Sequence, residues 1–163
     1  MKCAILISIA FTAGLYACNQ SGPTNKLLQN RIDSLEQKLA DSYRPGFGEF
    51  MSGIQVHHSK LWFAGKNKNW KLAGFEIAEI EEALSGIKKY CTDRPETNDI
   101  TMIDQPMDSL KTAIQNKDPV SFNTGYIALT NTCNSCHKAT HHEFNVITVP
   151  DNPPFSNQDF RAQ

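Results

Sequence analysis

Cys133-Asn134-Ser135-Cys136-His137 gathers the residues of this chain best suited to chemistry. Two cysteines separated by two residues and followed at once by a histidine form the pattern of covalent c-type haem attachment. On a helix, Cys133 and Cys136 stand about one turn apart on one face, so both thiols can add to the vinyl groups of one porphyrin edge. His137 follows directly and can bring a ring nitrogen under the iron as the proximal ligand. Two other chemistries use a similar pair. A zinc half-site wants a second ligand pair at finger-like spacing, and only His141 and His142 lie nearby. A thioredoxin-like dithiol wants a strand-to-helix context, whereas this motif sits inside a helical pattern.

The N-terminus bears on the compartment. Lys2 supplies a positive start and Cys3 to Ala13 form a short apolar run, too short for a stable membrane span. It reads as a signal peptide over residues 1–17. The run ends in Leu15-Tyr16-Ala17-Cys18, which resembles a bacterial lipobox and implies cleavage before Cys18 and lipidation there. Two or more acyl chains would hold the protein on a membrane, where one would not. An ordinary secretory signal with an incidental Cys18 is the alternative. Either way the mature chain is expected outside the cytoplasm, on the periplasmic side or in the cell envelope.

Cysteine accounting leaves little over. Cys3 departs with the signal, Cys18 takes lipid, and Cys133 and Cys136 take haem c. Only Cys91 remains, so no intramolecular disulfide framework is expected. Loss of residues 1–17 leaves 146 of the 163 residues, enough for one domain with a core. It also removes Lys2, moving the formal net charge from −1 to −2. Basic residues are neither in excess nor clustered, which excludes a nucleic-acid partner.

Residues 18–45 read as a lipid-anchored tether and a short heptad helix. Leu28, Ile32, Leu35 and Leu39 recur at helical spacing over about 27–42, about two heptads. That length is marginal for an independent coiled coil and offers either self-association into a homo-oligomer or packing on the main domain. Arg44-Pro45-Gly46 marks the boundary of the main domain, 46–142. There the spacing predicts four amphipathic helices, over about 48–65, 70–90, 103–116 and from 119 onward. Asp118 is a good N-cap and Pro119 suits the first helical position. Pro106 must lie in the first turn of its helix or kink it. Thr92 to Asp99 reads as a polar loop. Glu76, Glu79 and Glu82 read as a solvated acidic stripe, and Trp62, Phe63, Trp70 and Phe75 as packing around the first interhelical turn. Residues 143–163 lose the period and read as an extended tail anchored by Phe144, Phe155 and Phe160.

Four sequential helices with short turns predict an all-α, antiparallel four-helix bundle. With Cys133-Asn134-Ser135-Cys136-His137-Lys138 near the end of the fourth helix, the chain resembles the class II c-type cytochromes, the cytochrome c-prime group and its low-spin relatives. The resemblance covers about residues 47–140 and implies one covalent haem whose far side faces the first helix. The lipid anchor, the N-terminal heptads and the long tail depart from that group.

That first helix offers Met51, His57 and His58. At about 100° per residue, His58 falls close to the centre of the apolar face, Met51 slightly further round and His57 at the edge. An imidazole on a buried face needs a partner, and haem iron is one. The wheel therefore favours His58 as the distal ligand, with Met51 as the alternative and an open site as a third case. Met51 and His58 are roughly 10 Å apart along the helix, so one iron can take only one of them. Two strong ligands suit electron transfer, and an open sixth position would instead admit a gas such as NO or CO. No catalytic constellation stands out, so an electron-transfer protein is expected rather than an enzyme. Its partners would be redox proteins: other cytochromes, cupredoxins or membrane oxidoreductases.

Overall fold

The computed structural model describes residues 23–42 and 44–162. The expected signal peptide, the lipidated Cys18 and the start of the tether lie outside the described residues. The chain divides into two compact units, Met1–Tyr43 and Arg44–Gln163.

In the first unit, α1 spans Pro23–Ala40. It begins earlier than the heptads suggest because Pro23 suits the first helical position, where its missing N–H costs nothing. Leu28, Ile32, Leu35 and Leu39 are all exposed along one stripe. Gln29 and Gln37 donate to Asp33 and Asp41, each four residues on, along the helix surface.

The second unit is all-helical, with no strand among the described residues. It comprises α2 (Phe47–Lys66), α3 (Trp70–Tyr90), a 3-10 segment η1 (Pro95–Ile103), α4 (Asp104–Gln115) and α5 (Pro119–Ala139). No helix among the described residues is long and apolar enough to cross a membrane. α2 packs along α3 and α4 along α5, while α3 meets α4 and α2 meets α5. The apolar face of each helix thereby closes on two neighbours, around Leu61, Ile80, Ile87, Leu110, Phe122 and Leu129.

Local signals explain the element ends. The Asp118 carboxylate accepts from the backbone N–H of Val120 and Ser121, so α5 starts where the Asp-Pro pair predicts. Pro106 lies in the first turn of α4, where no intrahelical donor is lost. α2, α4 and α5 each end on a residue in the left-handed region: Lys68 (φ 56°), Lys117 (φ 54°) and His141 (φ 61°). In each case the next N–H reaches back to a carbonyl of the last turn, at 2.9 Å from Asn69 to Ala64 and 2.7 Å from His142 to His137. This closing geometry normally favours glycine, and none of the three positions has one.

Four expectations are corrected. Residues 95–99 of the expected polar loop belong to η1, because Pro95 opens a turn and Ile100 and Ile103 supply buried contacts. Glu76 is fully buried, not solvated. Its two oxygens lie 2.7 Å from His57 Nδ1 and 3.0 Å from Lys60 Nζ, so a hydrogen-bond partner and an ammonium on α2 face it. In the tail, Phe144 and Phe155 are exposed and only Phe160 is buried, 5.7 Å from the Phe63 ring. Phe75 is exposed, whereas Trp62 and Trp70 pack on Tyr126 and Phe122.

Gly65 permits the close crossing of α2 over α5. A Cβ there would run into the Phe122 ring, itself fully buried.

Candidate haem site

The last two turns of α5 carry the cysteine-histidine motif, and the rest of the second unit closes around it. Cys133, Cys136 and His137 line one cavity of about 370 Å³. That size falls within the range of cofactor pockets. The apolar wall comes from Phe47 and Ile54 on α2, Leu84 on α3, Ile100 and Ile103 on η1, and Ile147 in the tail. Met51 and His58 face the same cavity from α2. The motif and both expected distal candidates are thus brought together, while His57 turns away to Glu76. Of the other methionines, Met107 is buried in the core and Met102 is exposed. His142 also lines the cavity, whereas His141 is exposed at the helix end.

His137 is oriented by the tail. Its Nδ1 lies 2.6 Å from the Asn145 carbonyl oxygen. A carbonyl can only accept, so Nδ1 carries a proton, and in the neutral ring Nε2 then has the lone pair that a metal-ligating imidazole needs. The tail is in turn held by the motif. Asn134 donates from Nδ2 to the Ile147 carbonyl and accepts at Oδ1 from the Ile147 N–H, both at 2.8 Å.

The two thiols are poor nucleophiles as they stand. Burial, reinforced by the neighbouring Cys136, pushes the Cys133 thiol up to about 12. Burial raises Cys136 as well. A working redox dithiol depends on a lowered thiol pKa, so this environment argues against the thioredoxin-like reading. Among the described residues, no three His, Cys, Asp or Glu side chains stand close enough together to hold a metal ion.

His58 has both ring nitrogens engaged. Thr130 Oγ1 lies 2.9 Å from His58 Nε2 and also donates to the Tyr126 carbonyl at 2.9 Å. The Tyr126 hydroxyl lies 2.9 Å from Nδ1 and donates, at 2.9 Å, to the His58 carbonyl. The two rings stack with centroids 4.5 Å apart. Burial lowers the His58 pKa to about 4, so the ring is neutral at pH 7. Burial also raises the Tyr126 phenol, which stays protonated and able to donate. Ligation through either nitrogen would break one of these two ring hydrogen bonds, while each hydroxyl would keep its carbonyl acceptor. Met51, half-buried at the same cavity, makes no such demand.

Two groups at the cavity were not anticipated. Arg94 pairs with Glu96 through Nη2–Oε1 at 2.7 Å and Nε–Oε2 at 3.2 Å. The hydrogen bond from Arg94 holds the Glu96 carboxyl down at about 2. Both lie in a segment read as a polar loop, where no periodicity marks a side chain as facing a site. Tyr126 lies on the apolar stripe that leads to Cys133, where a buried hydroxyl must find a partner, but nothing local names that partner as His58.

Comparison with known protein families, with curated proteins and with solved structures finds no match for this chain in any of the three.

Proposed function

We propose that this chain is an exported, lipid-anchored, single-haem c-type cytochrome that carries or relays electrons, built as an antiparallel four-helix bundle of α2, α3, α4 and α5. One observation carries the reading: both motif thiols, His137 and a methionine sulfur from another helix line a single cavity with apolar walls. The donor set fits the group. Cys133 and Cys136 provide the two thioether attachments, and His137 presents Nε2 as the proximal ligand. When bound, the haem supplies an iron that exchanges one electron between its ferrous and ferric states.

The surrounding residues set the conditions for that exchange. The isoleucine, leucine and phenylalanine wall keeps water away, which tunes potential through local dielectric. Arg94 has donors beyond those spent on Glu96, and these suit a propionate carboxylate at the rim. Met51 is the distal ligand on this reading, because His58 is already satisfied by Tyr126 and Thr130. His58 then serves as a neutral, fixed part of the distal wall. If Met51 only covers an open sixth position, the protein binds a gas such as NO or CO. The occupied nitrogens of His58 favour that second reading over bis-histidine ligation.

The reading extends to the envelope. Lipid on Cys18 would hold the chain at the membrane, facing redox partners such as other cytochromes, cupredoxins or membrane oxidoreductases. For α1 the partner is a second copy of this chain. Asn25, Ile32 and Leu39 fall at one core position of the heptad, and Leu28 and Leu35 at the other. Isoleucine with leucine, and one asparagine at the first position, favours a parallel pair. In that register Arg31 faces Glu36 of the other copy.

The test is covalent haem on the protein expressed with a cytochrome c maturation system. Haem that survives denaturation, and is lost in C133S and C136S, supports the proposal. A chain that emerges from the same cells without covalent haem refutes it.

A further inference from the structure

The long tail after the motif is, in sequence, its least explained part. In the structure it returns to the motif at two points. Asn134, one of the two residues between the cysteines, makes the pair of 2.8 Å hydrogen bonds to the N–H and carbonyl of Ile147. Two residues before Ile147, the Asn145 carbonyl takes the proton of His137 Nδ1 at 2.6 Å. Val149 packs against the core just beyond. The other intervening residue behaves differently. The Ser135 hydroxyl donates only within its own helix, to the Asn131 carbonyl at 3.0 Å, and its side chain is exposed.

We infer that Asn134 is a positioning residue: it clamps residues 145–147 of the tail so that the Asn145 carbonyl orients and polarises the proximal histidine, and the tail thereby helps set the redox potential. The inference rests on the haem reading above. Its physics is that of an outer hydrogen bond on a metal-binding imidazole. A carbonyl drawing on Nδ1–H makes Nε2 more basic, and a more basic ligand favours ferric over ferrous iron. Asn suits the role because one amide offers a donor and an acceptor side by side, matching the donor and acceptor of a single extended residue. The backbone carbonyl of Asn145 cannot be removed by substitution, so the clamp is the part that mutation reaches.

The experiment compares the unmutated full-length holoprotein with N134A, N134D and S135A. Three quantities are read: covalent haem content, midpoint potential and hydrogen exchange at the Ile147 amide. For N134A the inference expects haem still attached, faster exchange at Ile147, and a shift of about tenfold towards ferrous iron. A tenfold shift of a one-electron couple is a rise of 59 mV. N134D keeps the acceptor for the Ile147 N–H and loses the donor, so its potential should fall between the two. It also carries the test if N134A fails to mature. S135A should change neither potential nor exchange.

Faster exchange at Ile147 with an unchanged potential would overturn the inference, since the clamp would be open with no effect on His137. An equal rise in S135A would overturn it too, by showing that any change within the motif has this effect. Failure of the underlying reading looks different. The unmutated protein would then carry no covalent haem, while the dependence of Ile147 exchange on Asn134 could still be measured.

Discussion

His58 Nε2 lies 2.9 Å from Thr130 Oγ1, a hydroxyl whose own proton is committed to the Tyr126 carbonyl. With the Tyr126 hydroxyl 2.9 Å from Nδ1, both ring nitrogens have a hydroxyl partner. A neutral imidazole so placed has both nitrogens hydrogen-bonded in the interior, and giving up one such bond costs about 1 kcal/mol. The relationship separates the two residues of α2 that face the cavity. The histidine is satisfied without iron, and the methionine is available.

The first prediction follows for the distal ligand. In the reduced holoprotein, M51A should open the sixth position, producing high-spin features and a carbon monoxide shift. H58Q should keep a six-coordinate spectrum. The opposite pattern, with H58Q alone opening the site, would assign the ligand to His58 and require the Thr130 bond to break when haem binds.

A second prediction concerns acid. The His58 pKa is about 4 in the folded chain against 6.5 for the free side chain. Above 6.5 both folded and unfolded states hold it neutral, and it makes no difference to stability. Between 6.5 and about 4 only the unfolded state takes up the proton, so stability falls with pH, by about 3 kcal/mol across the window. Denaturant unfolding from pH 7.5 to 4.5 should show that loss in the unmutated protein. H58Q should lose the corresponding slope, whatever its stability at pH 7.5.

Packing gives a third. Alanine at Gly65 gains roughly 1 kcal/mol in helix propensity, yet its Cβ meets the buried Phe122 ring where α2 crosses α5. Overpacking of this kind costs typically 1–3 kcal/mol, so G65A should be destabilised on balance by urea unfolding. G65A with F122L should recover part of the loss, because the shorter side chain vacates the crossing.

The exposed stripe of α1 gives a fourth. The full-length C18S protein, free of lipid, should sediment as a dimer that L35K converts to monomer. R31E should weaken the dimer, and R31E combined with E36R should restore it. Monomeric C18S protein at every concentration tested would remove α1 as a self-association surface.

Much of this was legible in the sequence because periodic apolar spacing and end signals act locally. Asp118-Pro119 begins α5 through bonds to the next few residues, and the Leu and Ile positions of α2 to α5 face inward as their spacing requires. Contacts between distant segments were not legible. Glu76 looked solvated because its partners His57 and Lys60 lie a whole helix earlier. Phe144, Phe155 and Phe160 look alike in composition, and only the path of the tail decides which is buried. The same gap applies to the site. Wheel geometry put His58 and Met51 on one face, but the hydroxyls of Tyr126 and Thr130 arrive from α5, out of reach of any local pattern. Asn134 reads as filler between two cysteines until Ile147 is brought beside it.

The most direct test of the central claim is the absorption spectrum of purified full-length protein matured with haem, oxidised and reduced, with and without carbon monoxide. Covalently attached haem with sharp reduced bands indifferent to carbon monoxide is the predicted result, that of a six-coordinate electron carrier. A broad high-spin spectrum that shifts with carbon monoxide would contradict electron transfer and make gas binding the function. Absence of covalent haem would contradict the account as a whole.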